Sequence, residues 1–219
     1  MVELVVLMLL AGEPLRWQTR HVKEIVPGCG DRKNGCACVE VTTVYVISGP
    51  AAARKAINDA LNVGQTARDQ VRTLFAGFQD MRKAEPKAQP WFDTSTVQVM
   101  LSTERVFSVQ VSTMSYTGGA HPNPMTTYRN FDSATGEEFG LEDILKDGAL
   151  PKFTAIAARH FAQDAGTDQD FWPTDNFGLD KRGLILSWNP YDLGPRAATA
   201  TIEIPYAEIR DLFKPGILP

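Results

Sequence analysis

Histidine and cysteine are both scarce here, three of each in 219 residues. His21, His121 and His160 lie far apart, and no H-E-x-x-H or Asp-His-His cluster gives them metal-ligating spacing. No G-x-S-x-G elbow is present, and no phosphate-binding glycine loop, because Gly118-Gly119 leads into Ala-His-Pro and not into a helix. Lys/Arg clusters are missing too. With a formal net charge of -4 and a pI near 5.4, this argues against a nucleic-acid partner and is compatible with a cationic one. No apolar run is long enough to span a bilayer as a helix, and there is no short-period repeat or low-complexity tract. What remains is a globular composition, 43% hydrophobic and 22% charged. Its length suits one large domain or two small, closely packed ones.

The first residues, Val2 to Gly12, form an apolar run ending in small residues, like the core of a secretory signal. Glu3 stands where a positive residue is expected and no Cys follows Gly12, so a buried first strand is the competing reading. Residues 1–14 are set apart on this basis.

Periodicity places the elements that follow. Leu15 to Val26 reads as a strand with Trp17, Val22 and Ile25 as anchors, and Val39 to Ile47 as a β-branched strand. Pro50 opens a helix with Ala53, Ile57 and Leu61 on one face. A second helix after Thr66 carries Val71, Leu74, Phe75, Phe78 and Met81 or Arg82. Val97 to Leu101 and Phe107 to Val111 alternate as a hairpin with one buried and one wetter face. Thr126 to Phe131 is a further strand, and a short strand and turn follow around Leu141 to Leu145. Leu150 to Ala165 is helical, with Leu150, Phe153, Ala157 and Phe161 on one side and His160 beside them as a capped or core residue in preference to a ligand. Short strands at Phe177–Leu179, Leu184–Trp188 and Ala197–Ile204 precede a terminal helix burying Ile209, Leu212 and Phe213.

Ser115-Tyr-Thr-Gly-Gly-Ala-His-Pro-Asn-Pro124 is the densest stretch. Gly118 and Gly119 permit positive φ, while Pro122 and Pro124 stiffen the backbone, so Tyr116, His121 and Asn123 are presented in fixed directions. The segment is a structural corner or a binding surface. Asn189-Pro-Tyr191 begins a second rigid loop, making Asn189 and Tyr191 the candidates for a second patch. Ser115, His121 and Asp132 have the residue types of a hydrolytic triad, a frequent coincidence at this spacing. Cys29, Cys36 and Cys38 share one turn-rich loop. A disulfide from Cys29 to Cys36 or Cys38 is favoured over a zinc site with His21 or free thiols, because Cys36 and Cys38 are too close to chelate well.

The 115–123 segment resembles the most recognisable part of a bacterial extracytoplasmic domain pair. That pair occurs beside the catalytic domain of a peptidoglycan deacetylase and in the lysozyme-binding ectodomain of an anti-sigma factor. Phe131 to Gly136 with Leu141 to Leu145 resembles its strand, turn and short helix. Asp170-Phe-Trp172, Gly178-Leu179, Leu184 to Trp188, Asn189 to Pro195 and Ile202 to Ile209 resemble its later segments. The likeness spans roughly Leu15 to Phe213 and departs at 196–200, where an aromatic and a glycine are expected. It implies an extracytoplasmic (periplasmic or secreted) α+β protein with helices packed on antiparallel sheets. Two closely associated subdomains are expected, 15–130 and 131–219. It also implies function by binding lysozyme, another envelope protein or cell-wall glycan, without cofactor, metal, nucleic acid or membrane span. Tyr116, Gly118, Gly119, His121, Asn123, Asn189 and Tyr191 are the candidate contacts. A peptidoglycan hydrolase using His121, or a structural domain, are the alternatives.

Overall fold

The computed structural model describes residues 13–26, 29, 33, 35–61, 63–87, 89–194 and 199–219, without the side chains of 63–68 and 70. The signal-like run at 1–12 and the departure at 196–198 lie outside the described residues.

β1 (Trp17–Ile25) pairs antiparallel with β2 (Ala37–Val46). Trp17 and Val22 are not the anchors that the sequence suggests: at 40% and 43% exposure they stand on an edge strand. Gly49-Pro50 breaks β2, and Pro50 itself precedes α1 (Ala51–Ala60), which buries Ala53 and Ile57. α2 (Val63–Ala84) begins three residues before Thr66, and buries Leu74 and Phe78 against β2. Two intervening helices carry the chain back to its starting edge, so β3 (Trp91–Ser102) joins β2 in parallel, as such a crossover requires. Every other pairing among the described strands is antiparallel, including β3 with β4 (Val106–Tyr116) and β4 with β5 (Asn123–Asp132). The sheet runs in the order β1-β2-β3-β4-β5. β5 extends to Asp132, so Phe131, fully buried in the core under α1, belongs with this sheet, one residue past the expected division at 130.

The second unit starts with α3 (Leu141–Ile144), a single helical turn where periodicity suggests a short strand. α4 (Leu150–Asp164) buries Phe153, Ala157, His160 and Phe161. Leu150, at the open end and about 60° round the helix from Phe153, stays 39% exposed, contrary to expectation. A three-stranded sheet, β6 (Phe177–Leu179), β7 (Gly183–Trp188) and β8 (Ala200–Pro205), packs on α4. α5 (Tyr206–Ile209) and a 3-10 turn at Arg210–Leu212 close the fold and bury Ile209 and Leu212.

The two sheets meet through polar groups. Ser108 on β4 and Asn130 on β5 are cross-strand partners and both fully enclosed. Ser108 Oγ accepts from the Leu179 amide at 3.1 Å, and Asn130 Nδ2 donates to the Phe177 carbonyl at 2.8 Å. They satisfy backbone groups of β6 that no further strand pairs, which offsets the cost of placing polar side chains here, although Asn130 Oδ1 is buried without a hydrogen-bond partner among the described residues. The face of the β4–β5 region that alternation marks as wetter is thus covered by the second sheet. Leu101 and Val106 extend the contact, belonging to the second unit's core.

Candidate functional site

The 115–124 stretch is a β-hairpin tip. Tyr116 ends β4, Asn123 begins β5, and residues 117–122 form the exposed connection. Gly118 and Gly119 have φ of 89° and 124°. The buried Tyr116 ring packs on Phe92 at 5.8 Å, and its hydroxyl lies 2.9 Å from the Gly119 carbonyl with the Gln89 side chain also in reach. This anchor holds the tip in one shape. His121 Nδ1 is 2.8 Å from the Pro122 carbonyl, and the ring is exposed. Ser115, His121 and Asp132 do not come together. Ser115 pairs with Asn123, nine positions along β5 from Asp132, which is about 30 Å of strand. The Asp132 carboxylate accepts instead from the Ala134 and Thr135 amides at 2.8 and 2.9 Å.

Beside the tip lies a cleft of about 650 Å³. α2 supplies Asp69, Thr73, Leu74 and Gly77, β3 supplies Trp91 and Asp93, and the hairpin supplies Thr117. The Trp91 indole packs edge-on against Phe78 at 5.8 Å and passes over Gly77, where a Cβ would meet its ring at 3.4 Å. Sheet register sets Asp93, Ser115 and Asn123 in one row on the face that α2 only partly covers. Burial pushes the Asp93 carboxyl above its ordinary value of 3.8. None of Trp91, Asp93 and Asp69 carries a motif, so sequence reading passed over them. The break at Pro90 was the one signal near them.

The second predicted patch divides. Asn189 is buried, its Oδ1 accepting from the Thr126 amide at 2.6 Å and its Nδ2 donating to the Thr126 carbonyl at 3.1 Å. Its side-chain amide holds the loop to β5. Tyr191, two residues on, is 55% exposed, and is the one non-glycine residue with positive φ (77°) among those described. Trp172 stands at the same end of the small sheet, 71% exposed, its carbonyl accepting from the buried Trp188 indole at 2.7 Å. Asn176 makes the matching tie, accepting from the Tyr128 amide and donating to the Thr126 carbonyl. β5 runs from Asn130 past these ties toward the hairpin tip, so tip and loops share one end of the molecule.

Cys29 and Cys36 form a disulfide, with Cα atoms 5.4 Å apart, and Cys38 is buried outside it. His21 is on β1, with Nδ1 3.0 Å from Thr42 Oγ1, away from the cysteine loop. His160 contacts Asp164 at 3.3 Å and Glu208 at 3.2 Å within the second core's edge. Among the described residues no group of three or more His, Cys, Asp or Glu side chains gathers as a metal site, and no helix is long and apolar enough to cross a membrane.

Residues 37–124 match the family model described as Deacetylase PdaC, and residues 142–207 match that of a protein of unknown function, DUF3298. The two matches follow one another along the chain, in the order of the domain pair that the sequence motifs resemble. Two crystal structures share the fold. One is a DUF3298 family protein from Pseudomonas aeruginosa PAO1, 18% identical with a TM-score of 0.69, over 95% of this chain and 99% of that one. The other is a DUF3298 family member from Bacteroides fragilis NCTC 9343, 20% identical with a TM-score of 0.71, over 92% of this chain and 94% of that one. At these identities the likeness concerns fold alone. No curated protein matched the chain. The described lining of the cleft falls within the residues that match the PdaC model, whereas Trp172 and Tyr191 fall within those that match the DUF3298 model.

Proposed function

We propose that the chain is a non-enzymatic, extracytoplasmic binding domain of the bacterial cell envelope that recognises a protein such as lysozyme, or cell-wall glycan. The observation that carries this reading is the pair of exposed aromatics, Trp172 and Tyr191, on segments anchored by partly buried hydrogen bonds. Large aromatic side chains on a pre-organised backbone bind with little loss of conformational freedom and dominate protein interfaces. The PdaC-like and DUF3298 pairing supports an envelope setting, and the Cys29–Cys36 disulfide suits an oxidising compartment. Calorimetric titration with lysozyme and with solubilised peptidoglycan tests it. Tyr191→Ala should weaken the complex by about 2 kcal/mol or more while leaving the melting temperature within a few degrees. Absence of binding to both, or muropeptide turnover that His121→Ala abolishes, would overturn the reading.

A further inference from the structure

We infer that the cleft between α2 and the start of β3 is a binding site for an organic ammonium group. Its described lining holds two carboxylates, Asp69 and Asp93, the Trp91 indole and the hydroxyls of Thr73 and Thr117, but no Lys, Arg or His. The volume, about 650 Å³, is in the range of small-ligand sites. Asp93 is half-buried and has no hydrogen-bond or ion-pair partner among the described residues. A carboxylate withdrawn from water is ordinarily paired, so this one stands ready for a donor from outside the chain. Arg72, mostly exposed, is 3.5 Å from Asp69 and takes up part of that charge, which leaves Asp93 as the principal anion.

Trp91 and Asp93 are two residues apart on one strand and therefore face the same way, about 7 Å from each other along β3. Carboxylate and indole attract the same kind of group: an ammonium donates charge-assisted hydrogen bonds to the first and is drawn to the ring face of the second. An alkyl stem behind it would pack along Leu74 and Gly77. A neutral polyol could donate to Asp93 but would gain nothing from the pocket's charge. The site falls within the residues that match the PdaC model, apart from Trp172 and Tyr191, so it does not rest on the function proposed above. Free amines and lysine side chains share the required chemistry.

The test follows the Trp91 indole N–H resonance at low ionic strength. The probes are n-butylammonium, N-acetyl-lysine methylamide, their neutral counterparts n-butanol and the ε-acetylated lysine derivative, and cellobiose. Both ammonium probes should shift the resonance saturably, and the tighter of the two separates a free amine from a lysyl ligand. The neutral probes should not. Asp93→Asn, which removes no internal partner, should keep the fold and weaken ammonium binding at least about tenfold. Equal binding of the neutral probes or cellobiose, unchanged affinity in Asp93→Asn, or no shift with any ammonium probe up to its solubility limit would each overturn the assignment.

Discussion

Asp93 shows how one side chain can be ordinary in sequence and costly in place. Its carboxyl titrates above 3.8 because burial disfavours the charged form. Below that value the group is protonated in both folded and unfolded chains and contributes no difference. As pH rises through the raised pKa, the unfolded chain ionises freely while the native state holds an unpaired charge, so stability is lost. Asp93→Asn should therefore match the parent near pH 3 and become the more stable protein by neutral pH. The gain should be under about 1 kcal/mol, because the group keeps much of its solvation. Thermal melts of both proteins across that range give the comparison, and a constant offset would remove the titration argument. Two glycines make a second pair of expectations. Gly119 has φ of 124°, and a Cβ there would meet no atom within 4 Å, so Gly119→Val should cost about 1–3 kcal/mol through backbone strain alone. Gly178 is limited by space: a Cβ would lie 2.3 Å from the buried Tyr128 ring, and Gly178→Ala should cost a similar 1–3 kcal/mol, roughly, by overpacking. Denaturant midpoints for the two variants check both mechanisms.

At the scale of elements, the crossover from β2 through α1 and α2 to β3 creates the cleft, since it lays α2 across the start of β3. The disulfide lies at one end of that crossover. Gly35 approaches the Pro86 carbonyl so closely that a Cβ would sit 2.5 Å from it, and the Trp91 amide donates to the Cys36 carbonyl at 3.0 Å. Reducing Cys29–Cys36 should remove about 2–3 kcal/mol, as expected of a short closed loop, and loosen the first residues of β3. Urea unfolding with and without reductant measures the first effect, and amide exchange at residues 91–93 the second. Unchanged protection there would separate the disulfide from the cleft. The helices and hairpins themselves were legible because their periods are local. Val97, Val99, Phe107 and Val109 mark the hairpin, and Leu74 and Phe78 the stripe of α2. Periodicity did not reveal Leu141–Ile144, because four residues are too few to distinguish a helical turn from a strand, and only the resemblance of motifs implied the short helix there.

Across the whole molecule, the two sheets share enough structure to unfold together. Leu101 and Val106, from the first sheet, lie in the second core, and Ser108, Asn130, Asn176 and Asn189 tie the backbones across the junction. Separating the units would leave these polar groups and the β6 backbone unpaired. Calorimetry should accordingly show one cooperative transition with van't Hoff and calorimetric enthalpies in agreement. Two resolved transitions would mean that the junction contributes little.

Periodicity and turn chemistry by themselves determined the strands, the two long helices, the rigid hairpin tip and the pairing partner choices open to Cys29, since each depends on residues near one another in the chain. The resemblance of ordered motifs added the domain pair. Only tertiary structure decided that β3 runs parallel to β2, that Ser108 and Asn130 are interior, and that Asn189 secures a loop while Tyr191 faces solvent. It also brought Asp69, Trp91 and Asp93 to one cleft. Those outcomes depend on which surfaces meet after the chain has turned back on itself, and a polar residue carries the same letter whether water or another backbone satisfies it.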